Sequence, residues 1–75
     1  MFTENEKTGL VVGLKQTKKA IKDGVQRVLL AEDAADMIKS EILALYPNVE
    51  YVESMSELGR MCSIDVKAAV AAVKN

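Results

Sequence analysis

The sequence predicts an α/β fold: one sheet covered by helices on both faces. Two observations carry this. Short apolar runs rich in Val and Leu, at Leu10–Val12, Val25–Ala31 and Val49–Val52, alternate with segments of helical period. Turn and stop residues punctuate them: Gly13, Gly24 and Tyr46-Pro47-Asn48. With 75 residues and no repeats, linkers or low-complexity stretches, the chain is read as one domain over residues 1–75.

Leu10–Val12 is a short buried strand. Gly13 turns the chain into a helix from Leu14 to Asp23, and Gly24 ends it as a left-handed cap. Val25–Ala31 is the second strand, apolar enough at its end to be central. Ala34 to Leu45 is the second helix, with Met37, Ile38, Ile42 and Leu45 inward and Lys39, Ser40 and Glu41 in water. Pro47 restrains the residue before it and stops that helix. Val49–Val52 alternates as a third strand. Ser54-Met55-Ser56-Glu57 matches a capping box opening a short helix to about Met61, with Glu57 reaching back. Cys62–Asp65 is a loop. Val66–Val73 has two readings. Its alanines favour a helix by propensity, and their small size suits a closely packed strand.

Composition narrows the chemistry. The chain has no His and one Cys, so a Cys–His pair and a His-containing zinc site are impossible. It has no Walker loop and no GxGxxG. Adjacent Glu32 and Asp33 read as an edge or helix-entry feature rather than an acid–base pair. A protein that is not an enzyme, with no metal and no cofactor, is expected. Cys62 reads as a small buried hydrophobe. The acidic start and the absence of a membrane-spanning run lead to an expectation of a cytoplasmic protein without a membrane partner.

The charge is segregated. Residues 7–27 carry a net +5 and residues 28–57 a net −6, within an overall −1. At about 100° per residue, Lys15, Lys18, Lys19 and Lys22 share one face of the first long helix, opposite Leu14, Thr17, Ala20 and Ile21. That spacing describes an ordinary solvated face, and equally an anion platform. The helix N-terminus adds free N–H groups and partial positive charge. The charge dipole favours the second reading, with RNA as the anion.

Four stretches resemble the L7Ae/L30e family of ribosomal and kink-turn RNA-binding proteins, its bacterial L7Ae-like type in particular. Gly13-Leu14-Lys15-Gln16-Thr17-Lys18-Lys19-Ala20 resembles the family's helix entry. Leu29-Leu30-Ala31-Glu32-Asp33-Ala34 resembles the exit of its second strand. Val52 to Val66 resembles its S-x-x-x-L-G-[RK]-A-C-G-[IV] block, and Ala68–Val73 its final strand. The resemblance implies a three-layer α-β-α sandwich with a mixed four-stranded sheet, and makes Val66–Val73 a strand. It also implies recognition of structured RNA containing a kink-turn, ribosomal or riboswitch-like, without catalysis. The implied RNA-binding residues are Gly13, Leu14, Lys15, Gln16, Lys18, Lys19, Lys22, Asp36, Arg60, Cys62, Ser63, Ile64, Asp65 and Val66. In the implied mode, Lys15, Gln16 and Lys19 meet guanine edges and phosphates. The Cys62–Val66 loop packs on an extruded base, with Ile64 and Val66 alternatively edge core. A protein–protein adaptor on the same fold is the alternative.

The chain departs from the family pattern at several points. Ala35-Asp36 replaces an acid followed by Pro, with Asp36 standing in one position along. Ser63 replaces a Gly, Met61 a small Ala, and Asp23 a basic residue. The family's N-terminal helix is expected to be nearly absent. Met37, Met55 and Met61 are expected in the core.

Overall fold

Eight elements follow one another in the order α1 (Glu4–Thr8), β1 (Leu10–Val12), α2 (Leu14–Asp23), β2 (Val25–Ala31), α3 (Asp36–Leu45), β3 (Glu50–Val52), α4 (Met55–Met61) and β4 (Val70–Lys74). The structure, a computed structural model, describes residues 2–75. The sheet order is β1-β4-β2-β3. β4 is antiparallel to both β1 and β2, and β3 is parallel to β2, so the sheet is mixed.

This order fixes the layers. β1, β2 and β3 point the same way, and the crossovers through α2 and α3 advance in the same direction across the sheet. Right-handed connections then put α2 and α3 on one face, where they pack against each other. α1 and α4 cover the opposite face. The result is the three-layer α-β-α sandwich.

The core lies on the two central strands. Val28, Leu29, Leu30 and Ala31 of β2 and Val70, Ala71, Ala72 and Val73 of β4 are all buried. A strand buried on both faces cannot alternate polar and apolar residues. This settles the last element as a strand against its helix propensity: pairing on both sides and burial outweigh a preference of a few tenths of a kcal/mol per residue. The strand is shorter than Val66–Val73, since Val66 remains in the preceding loop and is 68% exposed.

Several local expectations are corrected. The N-terminal segment does form a helix, one turn long. The Thr3 side chain accepts from the Glu6 N–H at 3.2 Å and the Glu6 carboxylate accepts from the Thr3 N–H at 2.9 Å, a complete capping box. At Ser54 only half of that motif exists. Its hydroxyl accepts from the Glu57 N–H, while the Glu57 side chain turns to Arg60. α3 begins at Asp36 rather than Ala34, and β3 at Glu50 rather than Val49. Gly24 has positive φ but ψ 126°, outside the left-handed helical region. Of the expected α3 stripe, Ile42 is buried and Ile38 packs on the core, whereas Met37 is 72% exposed and Leu45 is exposed. Met37 lies about 120° around the helix from the Ile38/Ile42 direction, so it clears the sheet. Of the three residues expected in water, Ser40 is exposed but Lys39 and Glu41 are half-buried. Met55 and Met61 do pack on the core.

One polar cluster closes the far end of the sheet. Arg27 donates to Glu50 through Nε and Nη2 at 2.8 Å each and to Glu6 through Nη1 at 2.7 Å, and it stacks 5.3 Å from the centroid of Phe2. The Thr3 N–H and the Arg27 guanidinium hold the Glu6 carboxyl below its usual value, and Arg27 does the same for Glu50. A carboxylate whose pKa is lowered by folding stabilises the fold above its unfolded value of 4.5, and that contribution is lost as pH falls. Arg27→Met is therefore expected to lower the melting temperature at neutral pH and to flatten the further loss between about pH 4.5 and 3. Thermal melts across that range check it. An acid limb unchanged by the substitution would show that Glu6 and Glu50 titrate independently of Arg27.

Candidate nucleic-acid interface

Four backbone hydrogen bonds gather distant segments at the other end of the sheet. The Gly13 N–H donates to the Val70 carbonyl and the Ala31 N–H to Ala69, both at 2.9 Å. The Glu32 N–H donates to Val52 at 2.8 Å, and Ala68 to Met55 at 3.0 Å. The α2 N-terminus, the β2–α3 turn and the α4–β4 loop therefore surround one end of the sandwich.

The helix starts at this end are not equivalent. α4 is capped twice, by Ser54 and by Asp33, whose Oδ1 accepts from the Met55 N–H at 2.7 Å. Asp33 is thus a cap that ties the β2–α3 turn to α4. α2 starts at Gly13 and α3 at Ala35, and neither has a side-chain cap. α3 carries Asp36 in its first turn, which offsets the positive end of its dipole. α2 has no acid in its first turn. It is the one long helix here whose N-terminal N–H groups and partial charge stay available to an outside anion. Gly13 permits this start: its φ of 102° and ψ of 158° suit glycine alone, and the space where a Cβ would stand is open.

The lysines of α2 separate by angle. Thr17 and Ala20 are buried against the sheet, and Leu14 and Ile21 pack on the core. Lys15 and Lys22 then point outward. Lys18 turns toward α3 and lies 3.2 Å from Glu41. Gln16 and Lys19 turn toward the β1 edge. Among the described residues, no carboxylate lies within 4 Å of the Lys15, Lys19 or Lys22 ammonium groups. Arg27, counted with these cations by sequence position, is neutralised at the far end of the sheet. The free positive face is therefore Lys15, Lys19 and Lys22, with Gln16 beside them.

The α4–β4 loop is built by a Schellman turn. The Ile64 N–H donates to the Gly59 carbonyl at 3.1 Å and the Ser63 N–H to Arg60 at 3.0 Å, with Ser63 at φ 61°. Ser63 thus takes the left-handed geometry that glycine would supply. Gly59 allows the loop to return close to α4, since a Cβ there would collide with the Val66 carbonyl oxygen. Cys62 is buried, and burial pushes its thiol pKa up, which makes it a packing group and not a nucleophile. Ile64 is half-buried against the core. Val66, Asp65 and Arg60 are exposed.

An open depression of about 300 Å³ lies between Arg60, Ile64, Asp65, Val66, Lys67 and Ser56. Ser56 and Lys67 were not legible as site residues, because only the return of the loop onto α4 brings them together. Exposed Met37, beside Asp36 at the start of α3, is a further residue that helical periodicity assigns to the core and the structure leaves at this end. No group of His, Cys, Asp and Glu suited to a metal occurs among the described residues. No helix among them is long and apolar enough to cross a membrane.

Comparison with known proteins adds to this geometry. A profile of the ribosomal protein L7Ae/L30e/S12e/Gadd45 family matches residues 3–75. An RNA-binding protein of Halalkalibacterium halodurans is 39% identical over 75 residues, covering 93% of this chain and 92% of that one. One from Caldanaerobacter subterraneus subsp. tengcongensis is 43% identical over 67 residues, covering 83% and 82%. The RNA-binding protein YbxF of Geobacillus stearothermophilus is 39% identical over 69 residues, covering 85% and 84%. A solved structure from Bacillus halodurans C, of a protein described as having unknown function, superposes with a TM-score of 0.81 at 26% identity, over 95% of this chain and 76% of that one.

The loop geometry makes a direct prediction about stability. A left-handed non-glycine residue costs about 1 kcal/mol or more. Ser63→Gly is expected to stabilise the protein by about 1 kcal/mol, and Ser63→Val to destabilise it by about 1–2 kcal/mol. Urea unfolding of the two variants decides it. Destabilisation by glycine would mean that Ser63 does not hold positive φ in solution.

Proposed function

This chain belongs to the ribosomal protein L7Ae/L30e/S12e/Gadd45 family, and on that premise we propose that it is a non-enzymatic RNA-binding protein that recognises a kink-turn and stabilises its bent form. The observation that supports this most is the α2 N-terminus. It is an uncapped helix start with no first-turn acid, bearing exposed Lys15, Gln16 and Lys19 and flanked by the α4–β4 loop. Such a start can enter a widened groove. The backbone N–H groups and Lys22 meet phosphates, while Lys15, Gln16 and Lys19 donate to guanine edges and, through the two ammonium groups, to the phosphates beside them. Exposed Val66, with the edge of Ile64, offers an apolar wall for an unstacked base, and Lys67 stands beside it for the adjoining phosphate, Arg60 being paired with Glu57 at 3.3 Å. Asp36, in the first turn of α3, is the acceptor in this reading for an exocyclic amine of that base.

The mechanism is a population shift. These contacts exist together only when the RNA is bent, so binding draws a flexible RNA into the bent state. A ribosomal or ribonucleoprotein setting in the cytoplasm is part of the same proposal. It follows from the ribosomal members of the family and from a single cysteine that has no disulfide partner in the chain.

The test is binding to a kink-turn RNA and to a duplex of equal length without the bulge, across a salt series. Affinity is expected to favour the kink-turn, and log K against log salt should fall with a slope of about −2 to −3, for three lysines at ~0.7–0.9 each. Lys19→Ala and Gln16→Ala should each cost about 1–3 kcal/mol. Lys18→Ala and Lys39→Ala should cost far less, Lys18 because it is held on Glu41 and Lys39 because it lies on α3. Equal affinity for the two RNAs would reject structure-specific recognition and leave a general polycation effect.

A further inference from the structure

We infer that Lys74 extends the RNA-binding surface along the β1 flank of α2, forming with Lys19 and Lys22 a track for the phosphates of a duplex stem. This deepens the RNA reading given above and rests on it. Lys74 is far from α2 in sequence, and the sheet order brings the two together. β4 sits next to β1, and Lys74 lies on the same sheet face as Ala72 and Val11, the face that α2 covers. Lys74 lines, with Gln16, Lys19 and Asp23, a groove between α2 and the β1 edge that Val11 and Ala20 also line.

The charge on the two sides of α2 argues for this direction. Toward α3, Lys18 is neutralised by Glu41, and that side also carries Asp36 at the start of α3 and Glu32 and Glu53 just past the ends of β2 and β3. A phosphate backbone is repelled there. Toward β1, Lys19 and Lys74 are exposed, and among the described residues neither has a carboxylate within 4 Å. Cations without an internal partner are those that release no protein contact when they take a phosphate. Lys22, one turn beyond Lys18 on the outward face, continues the line toward the end of α2. A stem leaving the α2 N-terminus is thus steered over the β1 flank and away from α3. Asp23 is the one carboxylate lining this groove. Acidic residues are disfavoured at a helix C-terminus, and here Asp23 also opposes the phosphates, so it lowers the affinity of the track.

Two substitutions of opposite sign test this on the intact chain: Lys74→Gln and Asp23→Asn. The probes are kink-turn RNAs with both flanking stems short, and with each stem extended in turn. On one extended RNA, Lys74→Gln is expected to weaken binding about threefold and to reduce the salt slope by about 0.7–0.9. Asp23→Asn is expected to strengthen binding on that same RNA by a similar factor. On the short RNA both variants should match the unsubstituted protein, and circular dichroism melts should show that both are folded. Effects of equal size on the short RNA, or no effect on either extended RNA, would overturn the track. Failure of the unsubstituted protein to prefer any kink-turn over a bulge-free duplex would overturn the functional reading itself, and the track with it.

Discussion

The burial of β4 between β1 and β2 is the constraint on which the rest of the molecule depends. Its residues Val70, Ala71, Ala72 and Val73 are buried on both faces, and its small alanines let helices approach from above and below. Because β4 runs antiparallel to its neighbours, its first residues meet the last residues of β1 and β2. The Gly13 N–H then reaches Val70, and the Ala31 N–H reaches Ala69. Those two bonds set the α2 N-terminus and the β2–α3 turn against the loop that precedes β4. The meeting of these three segments at one end of the sandwich is a consequence of where the last strand inserts.

The polar groups divide along the same axis. At the far end, Arg27 is held by Glu6 and Glu50, so its charge is spent on holding α1 to the sheet. At the near end, α4 is capped by Ser54 and Asp33 while α2 is left uncapped. Lys18 pairs with Glu41 and helps join α2 to α3. The cations left for a partner are fewer than the sequence suggests: Lys15, Lys19 and Lys22 on the outward and β1-facing sides of α2, with Lys74 on β4 and Lys67 in the α4–β4 loop. A near-neutral chain can in this way present a locally positive surface to a polyanion.

Most of the element order was legible, because strands and helices differ in period and Gly13, Gly24 and Pro47 mark the joins. The residues whose local pattern does not fix their placement share one cause: tertiary neighbours set it. Ala68–Val73 favours a helix until it is flanked by two strands. Met37 fits an inner stripe by spacing, yet α3 is rolled so that only Ile38 and Ile42 reach the core. Lys18 belongs to the lysine face on a helical wheel, and only the packing of α3 reveals Glu41 beside it. Ser63 hides a glycine-like turn behind a serine, and Thr3-Glu4-Asn5-Glu6 hides a capping box in what reads as an acidic leader. Lys67, Ser56 and Lys74 carry no site signal in sequence, since only a returning loop and the strand order bring them beside the candidate interface.

In the proposed binding mode, RNA engages the end of the sandwich where the α2 N-terminus meets the α4–β4 loop. Backbone amide chemical shifts of the labelled protein, followed during titration with a kink-turn RNA, test it most directly. The largest changes are expected at Gly13 to Lys19 and at Ser63 to Lys67, smaller ones at Asp36 and Met37, and almost none at Glu6, Arg27 and Glu50. Changes centred instead on Ser40 to Leu45 and Tyr51, with Gly13 to Lys19 unmoved, would contradict it.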